Sequence, residues 1–288
     1  MNKKVLAGVG VGSVLALFFG GKAVVSHVAA KEIDKAIEEV SGFVDVDYQK
    51  VDVSLLGRGT TVKNMVITPV ASGVPITVDE MTLYDYKDKN EVPTYLNLAV
   101  KGISLSPEAL GDNAELFSEL GYEKDLSADF ATEYEYKEGE KTVRLKQLQL
   151  GADKVGNVEM NFRFSNVSLD QTAIESLPFS LFGMEFHEAK ITYNDDSFME
   201  RLFETTAAAE GISVEEAKSA AIQGLEQELE AGDNPLPDAF VSEMKDFINE
   251  PDSFSLTFAP AEPVPFSRFA SVGGPEEMIE LLNVKFES

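Results

Sequence analysis

The sequence predicts an α+β protein, mainly an antiparallel β-sheet meander with a late helical block, preceded by one N-terminal transmembrane helix. Three observations carry that expectation. Apolar and polar residues alternate at period two through much of 51–165, helix-capping patterns gather at 106–120 and 197–247, and an uncharged run follows Lys3 and Lys4.

That run, Val5 to Gly21, reads VLAGVGVGSVLALFFGG. At a helical rise of about 1.5 Å it spans roughly 25 Å, and with Lys22 snorkelling the apolar stretch reaches Val28, long enough to cross a bilayer. The anchor is expected to include Val5, Leu15, Leu17, Phe18 and Phe19. Two readings compete: a retained signal anchor, or a signal peptide cleaved near Val28-Ala29-Ala30. The run exceeds the usual length of a signal-peptide core, which favours the anchor. Residues 1–30 are therefore expected to form the anchor and 31–288 one α+β domain. Lys3 and Lys4 should hold the short flank in the cytoplasm and send the remainder outward. Gly8, Gly10 and Gly12 imitate the start of a dinucleotide-binding loop, but Ser13 and the continuing apolar run break that pattern. Gly8 and Gly12 also form a GxxxG pair, a common feature of membrane helices.

Ala30 to Val40 is amphipathic, with Ile33, Ile37 and Val40 on one face. Val51, Val53 and Leu55 then alternate with Asp52 and Ser54, Gly57-Arg58-Gly59 turns the chain, and Thr60 to Thr68 returns. Pro69 to Pro75 breaks the pattern, and Ile76 to Tyr86 resumes it with a bulge expected near Glu80. Leu96, Leu98 and Val100 share the next face. Ser106-Pro107-Glu108 opens a helix expected to run to Leu120 and stop at Gly121. Phe130 to Tyr136 and Thr142 to Gly151 form a pair around Glu138-Gly139. Val158, Met160, Phe162 and Phe164 against Glu159, Asn161, Arg163 and Ser165 make the clearest strand in the chain. Strands with one wet and one apolar face belong to an antiparallel meander. Capping boxes at Ser197 and Ser213 start two helices that Gly211 and Gly232 end, and Pro237 starts a third, reaching Phe247. Phe254 to Phe258 returns to strand. A helix from Pro275 to Leu282 and a strand from Val284 to Phe286 close the chain.

Composition excludes several kinds of chemistry. With no cysteine there is neither a disulfide nor a thiolate-bound metal, and two histidines, His27 and His187, leave little for imidazole-based sites. A net charge of −26 repels phosphate backbones, so nucleic acid is not an expected partner. Half of that charge lies between Asp195 and Asp252 and is expected to form a solvated helical face. Asp45 and Asp47 should face one way and Asp52 the other, and no calcium-loop pattern surrounds them. Asn194, Asp195 and Asp196 precede a helix, where capping accounts for them; a metal held with Glu200 is the competing reading. His187 reads as an ordinary strand histidine, and Asn166-Val167-Ser168 fits a glycosylation sequon. No cofactor or metal site is expected.

The anchor, the segment Val51 to Met65, the stretch Ile191-Thr192-Tyr193-Asn194-Asp195-Asp196-Ser197-Phe198, and Pro263-Val264-Pro265-Phe266 with Leu281-Leu282-Asn283-Val284 resemble a family of singly anchored Gram-negative envelope proteins, the YdgA-like proteins. The first strand pair resembles, more distantly, the opening of AsmA-like proteins. These resemblances imply an inner-membrane anchor, a periplasmic β-rich body and no catalytic residues; the second implies a groove for acyl chains. The expected function is a non-enzymatic envelope module that binds a lipid acyl chain or a protein partner along Val158, Met160, Phe162 and Phe164. The alternative is a metal-assisted hydrolase built on Asp195, Asp196 and Glu200.

Overall fold

The computed structural model describes residues 34, 37, 38, 41–53, 59–89, 92–122, 125–169, 183–231 and 236–288. The expected anchor with Val5, Leu15, Leu17, Phe18 and Phe19 lies outside them, as do Leu55, Gly57, Arg58 and Gly232. No helix among the described residues is long and apolar enough to cross a membrane.

Antiparallel pairing of neighbours in the chain generates an 11-stranded sheet. Its strands are β1 (Val44–Val53), β2 (Thr60–Pro69), β3 (Ile76–Lys89), β4 (Val92–Leu105), β5 (Leu126–Lys137), β6 (Thr142–Ala152), β7 (Gly156–Ser165), β8 (Glu185–Asp195), β9 (Ser253–Phe258), β10 (Val264–Pro265) and β11 (Val284–Glu287). The order is sequential from β1 to β9, after which β11 adds beside β9 and β10 pairs with β8. The helices are α1 (Pro107–Leu110), α2 (Ala114–Glu119), α3 (Phe198–Glu210), α4 (Val214–Ala231), α5 (Asp238–Asn249), α6 (Phe266–Phe269) and α7 (Pro275–Leu282). The α+β class and the antiparallel meander are as the alternation indicates. Two compact units divide the described residues: the first runs to Glu135 and includes Gln149–Asp153, the second holds Tyr136–Leu148 and Lys154–Ser288.

In the first unit the core lies on one face of β1 to β5. Val44, Val46, Val62, Met65, Ile67, Val78, Met81, Leu98, Val100 and Ile103 are buried there, with Ile37, Tyr48 and Val51 packed against them. Strict alternation would turn half of these residues outward. The burial phase instead slips by one residue in four successive strands, between Tyr48 and Val51, Val62 and Met65, Val78 and Met81, and Val100 and Ile103. Gln49, Asn64, Asp79 and Gly102 drop out of the ladder along this line. Asn64 and Gly102 take left-handed backbone angles, φ 52° and 63°. On β5 the line ends as a bulge, where the single residue Asp129 faces Lys101 and Gly102 and accepts the Gly102 amide at 2.9 Å. Each slip returns the following apolar residue to the core face, so both halves of every strand contribute to one core.

The seam corrects two expectations. The irregularity near Glu80 is one cell of a feature crossing several strands, while the β3–β4 register shifts further along, between Leu83 and Asp85. Asp52, expected opposite Asp45 and Asp47, shares their face because the slip at Gln49 reverses its orientation; it pairs there with Lys50 at 2.6 Å. The helix expected from Ser106 to Leu120 is broken. Ser106 caps its start, accepting the Ala109 amide at 3.3 Å, but Gly111 at φ 60° ends α1 and a 3-10 turn precedes α2.

In the second unit, Ser213 and Glu216 form the expected capping box: the Ser213 amide and hydroxyl each donate to the Glu216 carboxylate at 2.8 Å, and the Ser213 hydroxyl accepts the Glu216 amide at 3.2 Å. Those donors hold the Glu216 carboxyl below its ordinary range. Ser197 does not cap α3. Asp195 does, accepting the Met199 amide at 3.1 Å, while the Ser197 hydroxyl donates to the Lys154 carbonyl and accepts from Arg201. At φ −171° and ψ 5°, Ser197 makes no side-chain bond to the amides of the first turn, its hydroxyl being engaged by Lys154 and Arg201.

Candidate apolar face on β7 to β9

Pairing across β7, β8 and β9 gathers the expected residues with partners on two more strands. Val158 stands opposite Tyr193, Met160 opposite Ile191, Phe162 opposite Ala189 and Phe164 opposite Phe186. Tyr193 in turn faces Phe254, Ile191 faces Leu256, and Ala189 faces Phe258. Because register fixes the face, all of these side chains rise from one side of the sheet. A register shift between Arg163 and Phe164 leaves His187 out of the ladder and keeps Phe186 on that side.

Both ends of the face are capped. At one end Phe164, Phe186, Ala189, Phe258 and Val284 pack with Phe266 and Phe269 of α6 and with Met278, Leu281 and Leu282 of α7. At the other end Phe247 of α5 meets Tyr193 and Phe254, its ring centre 5.1 Å from that of Phe254; Phe286 of β11 stands opposite Leu256, and Phe240 of α5 stacks on it at 5.4 Å. Between the caps lie Met160, Ile191 and Leu256 in one row, with Phe162 beside them. All four are only half-buried. The same holds for Val158 and Phe164, so none of the four residues singled out on β7 reaches the burial of the first unit's core.

The helical block covers less of this face than its length suggests. Phe203 and Ala207 of α3 and Ala217 of α4 bury against one another with Met199, Ile212, Val214 and Ile248. Of the alanines in these two helices, Ala207 and Ala217 are buried in this contact while Ala208, Ala209, Ala220 and Ala221 are exposed, and α5 is the helix of that block whose rings reach the sheet.

The carboxylates of the alternative reading do different work. Asp195 accepts the Tyr193 hydroxyl at 2.5 Å and caps α3, and Asp196 and Glu200 are exposed. No group of three or more histidine, aspartate or glutamate side chains that could hold a metal ion occurs among the described residues. On the opposite side of β7 and β8, His187 Nε2 lies 2.7 Å from Ser165 Oγ, which donates to Glu185 at 3.0 Å. Burial, and secondarily Arg163, pushes the His187 pKa down, while Glu185 and Glu188 oppose the shift. Since the serine proton goes to Glu185, the imidazole nitrogen facing Ser165 donates rather than accepts, the reverse of what a nucleophile's base requires. Asn166, the sequon asparagine, is exposed at φ 57° just beyond β7.

Ile191 and Leu256 were missed by sequence reasoning as members of this face. Each alternates correctly within its own strand, but only the pairing register shows that they continue the Met160 row.

A family model described as an uncharacterized protein matches residues 149–288. No curated protein matches the chain. The matched stretch contains β7 to β11 and the helical block, and therefore the whole apolar face.

Proposed function

We infer that this chain is a non-enzymatic module of the bacterial cell envelope, anchored in the inner membrane by residues 5–28 with its bulk in the periplasm, and that it takes up an acyl chain on the β7–β9 face. The observation that supports this reading is the half-buried row of Met160, Ile191 and Leu256 with Phe162, held between two aromatic caps. Full burial of one large apolar side chain contributes roughly 1.5 to 3 kcal/mol, so a half-covered row retains part of that stabilisation for a ligand to supply. An acyl chain suits it because the row is apolar and narrow and offers no charged side chain of its own.

The test is photo-crosslinking of the full chain in membranes supplied with a diazirine fatty acid, followed by peptide mapping. Label on peptides containing 158–164 or 189–193, lost in Phe162→Glu, is the expected result. Label confined to residues 5–28, or undiminished in the variant, overturns the reading.

A further inference from the structure

The β7–β9 face is closed on three sides. Along the strands, α6 and α7 pack over Phe164, Phe186 and Phe258, and Phe247 of α5 packs on Tyr193 and Phe254. Across the strands, the row Met160, Ile191 and Leu256 continues to Phe286 on β11, where the stacked ring of Phe240 ends it. The remaining side is β6, the neighbour of β7 in the sheet.

That strand carries charge of the minority sign. In a chain with 50 acidic and 24 basic residues, the stretch from Lys141 to Ala152 holds Lys141, Arg144 and Lys146 and no acid. Its register with β7 follows from both ends. Val167 donates to the Lys141 carbonyl at 2.9 Å, and the turn 153–155 joins Ala152 to Gly156. Both set Leu148 opposite Met160, Lys146 opposite Phe162 and Arg144 opposite Phe164, which places all three on the apolar side of the sheet. Leu148 lengthens the row, and Arg144 is exposed. At the β11 end no cation is in excess: Lys285 and Glu287 flank Phe286 and offset one another, while Glu243 of α5 accepts the Ser288 amide at 2.9 Å.

From Leu148 to Leu256 the row crosses three strand spacings, roughly 14 Å, which is shorter than an extended long-chain fatty acid. A methyl terminus gains from burial, whereas a carboxylate buried without a partner is costly, so the open side takes the head group. We propose that the occupant is a long-chain fatty acid lying across the strands, with its methyl end against Phe286 and its carboxylate over β6 at Arg144 and Lys146. One row admits one chain, which favours a single-chain lipid over a two-chain phospholipid.

This proposal rests on the acyl reading above, and the experiment separates the two. The full chain in phosphatidylcholine nanodiscs is crosslinked with two fatty acids, one carrying a diazirine at the methyl end and one beside the carboxylate, and with the fatty alcohol matching each. The methyl-end probe should mark peptides containing Phe240 or Phe286, and the carboxyl-end probe should mark 142–148. Arg144→Glu, at an exposed position, should lower labelling by the acids several-fold and leave that by the alcohols unchanged. Reversed or identical maps for the two probes overturn the orientation, and acids and alcohols responding alike to Arg144→Glu overturn the head-group assignment; either result leaves the acyl reading standing. Labelling confined to residues 5–28 with both probes overturns the acyl reading and this proposal together.

Discussion

Gly102 stands so close to Asp79 across the β3–β4 pair that a Cβ on the glycine would sit 2.8 Å from the Asp79 Cβ and closer still to its carboxylate. Together with φ 63°, this makes Gly102 the most constrained position of the seam. Gly102→Ala should lower the unfolding free energy by at least about 1 kcal/mol, the usual minimum for forcing a side chain into that conformation. A double-mutant cycle with Asp79→Gly should recover the steric part. Denaturant titration measures both, and additive losses in the double variant would show that the Asp79 contact is not the cause.

Tyr48 carries the other measurable signature of the first unit. The hydrogen bond to Asp34 is the main cause, with burial and the Asp34 charge adding, of a Tyr48 pKa pushed up to about 12. A raised tyrosine pKa means that the neutral form is favoured in the folded state. Its contribution is therefore complete below the ordinary value of 10.0 and is lost as pH rises toward 12. Carbon-13 NMR of the tyrosine ring at about pH 11 should find Tyr48 protonated and Asp34→Asn substantially ionised. An unchanged resonance in that variant would rule out Asp34 as the cause.

Asp195, rather than Ser197, is the cap of α3, so Asp195→Ala should cost about 1 kcal/mol while Asp195→Asn, which keeps an acceptor, loses a fraction of that. Thermal unfolding of the two variants decides it. Equal losses would point to the Tyr193 hydrogen bond and the carboxylate charge instead of the cap.

His187 should titrate below its ordinary value of 6.5, because burial disfavours the imidazolium more than Glu185 and Glu188 favour it. The folded state then binds fewer protons than the unfolded one just below that value. Stability linked to this residue is present above 6.5 and lost as pH falls through the folded pKa. In an NMR titration Arg163→Gln should raise the His187 pKa only in part, since burial is the larger cause. Full return to 6.5 would make the charge of Arg163 the dominant one.

The strands were legible wherever one face is consistently apolar, as in Val158 to Phe164, because a two-residue period needs no knowledge of partners. The seam was not. A slip in one strand looks like a lone bulge in the sequence, and only the pairing reveals that Gln49, Asn64, Asp79 and Gly102 fall on one line. The same limit hid Ile191 and Leu256, whose membership of the apolar face is a property of register. Capping was read correctly at Ser213, where the reciprocal bonds with Glu216 form, and wrongly at Ser197, whose hydroxyl is taken by Lys154 and Arg201 while Asp195 caps the helix. The division into two units left no mark in composition, since it is carried by strands and not by a Gly- or Pro-rich linker.

The sequential strand order has a consequence for how the chain acquires its shape. From β1 to β9 each strand finds its partner in the one made just before it, so the sheet can grow hairpin by hairpin as synthesis proceeds, with little loop-closure entropy at most steps. Only the last elements break that rule. β10 reaches back to β8 and β11 to β9, and α6 and α7 arrive with them, so one aromatic cap of the β7–β9 face is assembled last. Until residues 264–284 emerge, the nascent chain presents Phe164, Phe186 and Phe258 without their cover, a window in which a chaperone has a defined apolar target.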